Sequence, residues 1–342
     1  MLACWTIRHT SLLHQLHRMS EIPSPPVHTE AWAKMAPVDY RWAHAVNSLA
    51  LLSAVQQQVH EAQELQFVTA DFVNAVEADI IWSEAKQAPV MGHPPQTDGD
   101  LTFASFLDAM QDLAALLQTS PTPTATPLIV KCDFKSSQAF KKSYELLAKF
   151  TASFPFAEGI FINADILPGP ANTTDVAFNA AEFLQQAGAL GELDGGRHSH
   201  KLVLSVGWTT ANATEEEIHR EYSAAMVDDM LCVLQPYAEK LAVTFPLRAT
   251  SVRKSWHALR PLLGPVNFGF TLWWAKSQMS DLELEWLYST LELETHAVGQ
   301  LAGAGSGVKT FADRTFYDIL GFDLFLKKRA YLQASPPSML QN

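Results

Sequence analysis

The chain of 342 residues is 48% hydrophobic and carries 36 acidic against 24 basic side chains, a formal net charge of −12. That length suits either two average domains or one large α/β barrel, and the acidic balance excludes a broad polyanion-binding surface, which needs basic stripes. No apolar run reaches the roughly 18 to 20 residues that a membrane-spanning helix requires.

The first twenty residues, Met1 to Ser20, contain no acid and carry Arg8, Arg18 and several histidines, with Trp5, Leu12, Leu16 and Met19 near helical spacing. An import presequence has this pattern, and so does a plain helical leader. Ile22-Pro23-Ser24-Pro25-Pro26 cannot sustain a helix and reads as a linker, so residues 1–38 stand apart from the remainder of the chain. The three cysteines, Cys4, Cys132 and Cys232, are odd in number and far apart, which is the spacing of neither a disulfide framework nor a zinc site. A reducing, intracellular compartment is expected, mitochondrial or cytoplasmic. Secretion is disfavoured because the leader lacks a continuous apolar centre.

From Asp39 onward, short β-like segments alternate with longer amphipathic ones. Strands are expected at residues 40–44, 75–81, 128–134, 159–167, 202–208, 241–248 and 267–273, with a last one near 308–317. Most are apolar enough to be buried on both faces, as parallel strands are. Between them, apolar residues recur at three and four over residues 48–64, 103–118, 137–153, 174–188, 215–234, 251–263 and 281–294, the spacing of amphipathic helices. Eight such alternations predict one (β/α)8 barrel over residues 39–330, with a flexible tail at 331–342.

Chemistry in such barrels sits at the carboxyl ends of the strands, and polar residues collect there. His44 and Asn47 follow the first strand, Glu77 and Asp79 lie on the second, Asp133 and Lys135 on the third, and Asn163 and Asp165 on the fourth. Ser205 or Trp208 ends the fifth, Thr244 and Arg248 the sixth, and Thr271 and Trp273 the seventh. Charges inside a barrel are costly unless they are paired or bind a metal.

Glu77 and Asp79, two residues apart on a strand, point to one face. With Asp133 they offer three hard oxygen ligands, suited to magnesium, calcium or manganese. The plainer alternative is that these acids pair with Lys131, Lys135 or Arg248 inside an inert barrel. His44 and His93 flank the acids, and two imidazoles that titrate near neutrality can serve as general base and general acid in substitution at phosphorus. Lys135 and Arg248 are candidates to hold the phosphoryl group. Trp273 and Trp274 can split between the mouth, where a ring can stack on a base or sugar, and the surrounding helices, but core packing alone is the better explanation of both.

Other signals are weaker. Gly303-Ala304-Gly305-Ser306-Gly307 lacks the lysine of a phosphate loop and reads as a flexible loop. His198 and His200 fall in an exposed turn. Ser205 lacks a Gly-x-Ser-x-Gly elbow, which disfavours a serine hydrolase.

The order His44…Asn47, Glu77-Ala78-Asp79, Pro89-Val90-Met91-Gly92-His93 and Asp133-Phe134-Lys135 resembles the site of glycerophosphodiester phosphodiesterases, within the phospholipase C-like barrels. Ala45-Val46 stands where that group has Arg-Gly, Pro94 where it has aspartate, and Asp133 where it has glutamate. With His93-Pro94-Pro95, Asn163-Ala164-Asp165-Ile166-Leu167-Pro168-Gly169-Pro170, Ser205-Val206-Gly207-Trp208-Thr209 and Thr244-Phe245-Pro246-Leu247-Arg248 added, the chain is closer still to the menorin family. This resemblance implies the phospholipase C-like barrel and a metal-dependent phosphodiesterase in which Glu77, Asp79 and Asp133 hold the cation and His44 and His93 move protons. Asn47, Lys135, Asn163, Asp165, Trp208, Arg248 and Trp273 would then orient the substrate, a small phosphodiester. The alternatives are a nuclease acting on short RNA or cyclic nucleotide ends, and a non-catalytic barrel that recognises a protein partner.

Overall fold

The structure, a computed structural model, describes residues 35–65, 72–118, 127–170, 176–210, 214, 217–297 and 308–334. The leader through residue 34, the glycine-rich loop at 303–307 and residues 335–342 lie outside the described residues.

Eight parallel strands follow one another in chain order: β1 (Trp42–Ala43), β2 (Ala75–Ser83), β4 (Ile129–Phe134), β5 (Ile160–Leu167), β6 (Leu202–Trp208), β7 (Ala242–Arg248), β8 (Phe268–Trp274) and β11 (Thr315–Ile319). The helices between and after them are α1 (Leu49–Glu64), α2 (Phe103–Gln118), α3 (Ser137–Ser153), α4 (Ala180–Gly196), α5 (Ala224–Leu234), α6 (Ala249–Leu259), α7 (Asp281–Tyr288) and α8 (Phe322–Ala334). This is a nearly closed (β/α)8 barrel, as the alternation predicts. β3 (Ala88–Met91) folds back antiparallel on β2. β9 (His296–Ala297) and β10 (Val308–Lys309) make a separate two-stranded piece. Among the described residues no helix is long and apolar enough to cross a membrane.

The period of two sorts each strand into an outer and an inner set. Val76, Ala78 and Ile80 of β2, and Val130, Cys132 and Phe134 of β4, pack outward with the helices in the main core. Ala75, Ile129, Phe161, Val203 and Phe316 form with Tyr40 a second, internal cluster that fills the barrel floor. Two residues further along the same inner faces come Glu77, Lys131, Asn163 and Ser205, and two further again Asp79, Asp133, Asp165 and Gly207. An apolar floor under polar layers thus aims the polar groups at the carboxyl-terminal mouth. The middle layer bonds internally, with Ser205 Oγ donating to Asn163 Oδ1 at 2.6 Å and the Thr244 and Thr271 hydroxyls paired at 2.8 Å.

β1 and β11 stand at the two ends of the hydrogen-bonded strand order, and side chains join them. Phe316 meets Tyr40 at 5.8 Å and Trp42 at 6.4 Å between ring centroids, and His44 bonds to Asp318. At the mouth, Ser48, Ser136, Asn179, Ser223 and Ser280 cap α1, α3, α4, α5 and α7. Each side-chain oxygen satisfies a first-turn N–H that would otherwise lack a partner.

Two details depart from expectation. The eighth barrel strand is β11, and the 308–317 segment expected in its place is split by a 3-10 turn at Ala312–Arg314. That turn is fixed where the Arg314 guanidinium donates to the carbonyls of Pro265 and Phe268, and it carries the strand on as far as Ile319. α8 runs to Ala334, so the 331–334 stretch is helix. Cys132 is buried and free.

Phe161 at the floor is fully buried and meets Phe316 at 5.3 Å and Trp42 at 6.4 Å. Phe161→Ala is expected to cost about 3 to 5 kcal/mol in chemical denaturation; a loss below about 1 kcal/mol would show that the floor is not packed.

Candidate active site

The first wall of the site is the segment that leaves β1. Ala45 takes a left-handed backbone (φ 54°), which disfavours a branched side chain. That turn is held by two bonds to β2: Ala45 N–H donates to Glu77 Oε2 at 2.7 Å, and Val46 N–H donates to the Glu77 carbonyl at 2.9 Å. Asn47 then clamps Asp79 from both sides. Its Nδ2 donates to Asp79 Oδ2 at 2.6 Å, and its Oδ1 accepts from the Asp79 backbone N–H at 2.8 Å.

Opposite, β4 runs in register with β2, so Lys131 lies beside Glu77 and Asp133 beside Asp79. Ligand oxygens of Glu77, Asp79 and Asp133 all lie within 4.8 Å of one another. Two oxygens on one calcium ion, each about 2.4 Å from it, stand up to about 5 Å apart. The spacing and the all-oxygen donor set therefore fit a hard divalent cation. Lys135 bridges the cluster, its Nζ 2.8 Å from Asp79 Oδ1 and 2.7 Å from Asp133 Oδ2. Asn163 donates its side-chain N–H to Asp133 while its oxygen accepts from Ser205.

Burial and crowding shift the charges. Burial, with the Asp79 charge next, pushes Glu77 up to about 7. Burial and the Asp133 charge likewise push Asp165 up to about 7. Asp133 is buried too, yet the ammoniums of Lys135 and Lys131 and its hydrogen bonds hold it below the usual carboxylate range. Burial disfavours a charged His44, but the charges of Glu77 and Asp318 and the Asp318 hydrogen bond prevail and lift it to about 9.

His44 is tied into this centre. Its Nδ1 is 2.6 Å from Asp318 Oδ2 and 3.5 Å from Glu77 Oε2. A carboxylate only accepts, so Nδ1 is the donor and Nε2 is left to face other groups. Asp318 escaped the sequence reading, because the expected last strand stopped at residue 317, one short of it. The available signal was the alternation Phe316, Asp318 on an inner face.

The other expected residues distribute unevenly. Asn47, Lys135, Asn163 and Asp165 are at the cluster. Arg248 lies at the end of β7, 5% exposed, with its guanidinium 5.4 Å from the Trp273 ring centre and its backbone N–H donating to Tyr222 Oη at 3.4 Å. Gly207 leaves room for Asp165, since a Cβ there would stand 2.8 Å from Asp165 Oδ1 and 2.9 Å from Pro246 Cγ. His93 is anchored close by, because Gly92 N–H donates to the Asp79 carbonyl at 3.0 Å. Its exposed imidazole bonds through Nδ1 to the Pro94 carbonyl at 2.7 Å and to none of the acids. Trp208 requires a correction. It is buried in the outer core against Tyr222 and Phe245, three residues from inward-facing Ser205, and an odd separation on a strand puts two side chains on opposite faces. Trp274 is likewise buried in the outer core. His198 sits in the turn after α4 and is 18% exposed at its side chain.

Residues 38–295 match the family profile of the Menorin N-terminal domain. Human protein FAM151B is 28% identical over 278 residues, a span of 77% of this chain and 86% of that protein. Among solved structures, phospho-2-dehydro-3-deoxyheptonate aldolase from Francisella tularensis SCHU S4 overlays at TM-score 0.30 and 10% identity, across 86% of this chain and 85% of that one. So low a score carries no argument about site or activity. A profile match over most of the chain, on a barrel whose mouth gathers the Glu77-Ala78-Asp79 and Asp133-Phe134-Lys135 motifs, shows that this protein belongs to the menorin family.

Proposed function

We propose that the chain is a divalent-cation-dependent phosphodiesterase working at the barrel mouth. The observation that most supports this is the meeting of Glu77, Asp79 and Asp133 within 4.8 Å, a ligand set for magnesium, calcium or manganese. A cation bound there would polarise the phosphoryl group and offset the negative charge that builds up in the transition state.

The chain's own residues do the rest. Asn47 fixes Asp79 by gripping both a carboxylate oxygen and the backbone N–H, the kind of support that orients a ligand. Asp318 holds His44 by Nδ1, and with its value lifted to about 9 His44 has a proton at neutral pH to give to the leaving oxygen. His93, on the exposed loop tied to Asp79, is the base that takes a proton from the nucleophile, either water or a hydroxyl next to the phosphate. Arg248 and Lys135 hold the non-bridging oxygens, and Trp273 beneath Arg248 contacts the group beyond the phosphorus. The formal charge of −12 suits a small phosphodiester or short oligonucleotide better than a long polymer.

One observation favours a second reading, a non-catalytic barrel for protein recognition. Lys135 already neutralises Asp79 and Asp133 without an ion. A barrel of that kind gains no thermal stability from a divalent cation, whereas an occupied site raises it by mass action.

With bis(4-nitrophenyl) phosphate as a generic substrate, Glu77→Ala and His93→Ala are each expected to lower cation-dependent kcat/KM by about 10²-fold or more, with the circular dichroism of the fold unchanged. Full turnover in both purified variants removes these residues from the mechanism.

The pH dependence has a definite sign. Glu77 and Asp165 at about 7 and His44 at about 9 all lie above their ordinary values, so the folded chain keeps protons that the unfolded chain has released. Ion-free stability therefore falls as pH rises from about 5 to about 9. Because a cation must displace the proton on Glu77, the rise in Tm given by Mn2+ is expected to grow between about pH 6 and about pH 8. A Tm rise that shrinks over that interval contradicts the assignment of Glu77 as a ligand.

A further inference from the structure

The Lys135 ammonium stands where a cation belongs. Its Nζ lies 2.8 Å from Asp79 Oδ1 and 2.7 Å from Asp133 Oδ2, bridging two of the three carboxylates that converge within 4.8 Å. The bridge is built in from both ends. Lys135 N–H donates to the Ile80 carbonyl at 2.9 Å, which fixes the lysine's backbone against β2, and Ser136 beside it starts α3 by capping Ala139 N–H. The second oxygen of Asp79 accepts from Asn47 at 2.6 Å, and Asp133 accepts from Asn163. Neither acid can therefore turn away to offer a divalent ion a different face without breaking a buried hydrogen bond. An ion entering this cluster has to take over oxygens that the ammonium now holds, and two cations that share them repel.

We propose that Lys135 is a built-in competitor for the divalent cation, neutralising Asp79 and Asp133 while no ion is bound and leaving those oxygens when one arrives. The inference deepens the phosphodiesterase reading and rests on it for the cation site. It adds an order of events. Because the lysine's backbone stays tied to β2, the displaced ammonium remains at the mouth, and the positive group that meets an anionic substrate becomes available only in ion-loaded protein. Cation and substrate binding are then coupled through one side chain, which also lowers the affinity for the cation.

The test reads cation affinity directly and needs no turnover. Mn2+ binding to the full chain is measured by the electron paramagnetic resonance signal of free Mn2+ and by calorimetry, for wild type, Lys135→Gln and Lys135→Arg. Lys135→Gln is expected to bind Mn2+ at least about tenfold tighter, to melt lower than wild type without the ion, and to gain more in Tm from it. Lys135→Arg, which keeps the charge, is expected to stay within about threefold of wild type. Purified in Mn2+ and titrated with a chelator, the glutamine variant yields its affinity even if its ion-free form unfolds. Unchanged or weaker binding by Lys135→Gln overturns the proposal, because the lysine then only organises the acids or waits for substrate. Absence of Mn2+ binding in all three proteins overturns the cation site as well, and so separates that failure from the first.

Discussion

Five carboxylates occupy one barrel mouth: Glu77, Asp79, Asp133, Asp165 and Asp318, most of them nearly inaccessible to water. Taking a charge out of water costs several kcal/mol even after relaxation, so the rest of the site is the set of partners that makes this burial tolerable. Lys131, Lys135, Arg248 and His44 supply positive charge on the inner faces of β4 and β7 and in the segments that follow β1 and β4. Asn47, Asn163 and the Ala45 N–H supply hydrogen bonds. With His44 charged and all five acids ionised, five negative groups face four positive ones, a deficit that the protons held by Glu77 and Asp165 relieve near neutral pH. A divalent cation turns that small deficit into a small surplus, which a phosphodiester monoanion would cancel.

The same constraint explains the layering. The floor of Tyr40, Phe161 and Phe316 keeps water out from below, which strengthens every electrostatic interaction above it. The seam between β1 and β11 is closed by aromatic contacts at the floor and by the His44–Asp318 bond at the mouth. The histidine proposed to transfer protons is therefore also a fastening of the barrel, so its position is set by the fold and not by a mobile loop. His93 is the opposite case, an exposed imidazole bonded to its neighbour's carbonyl.

Much of this was legible in the chain because the side-chain period of a strand is a hard rule. Glu77 and Asp79, or Asn163 and Asp165, could only share a face, and in a barrel the polar face of a buried strand is the inside. Trp208 shows the rule ignored: three residues from Ser205, it belonged to the outer face on parity alone. What the chain could not show was contact between distant segments. His44 and Asp318 are 274 residues apart in sequence, and no local pattern pairs them. The bridge from Lys135 to Asp79 was half visible, since a lysine two residues after an aspartate is an ordinary counter-ion, but its reach across to β2 depends on the parallel register of β2 with β4.

The proposed mechanism requires the mouth acids to hold a cation. That requirement is met most directly by a crystal structure of the protein soaked in Mn2+, with anomalous diffraction to locate the metal. One strong peak is expected at about 2.0 to 2.6 Å from carboxylate oxygens of Glu77, Asp79 and Asp133, with the Lys135 ammonium moved off at least one of the two oxygens it now holds. No peak there, with Lys135 still bridging Asp79 and Asp133, would contradict it.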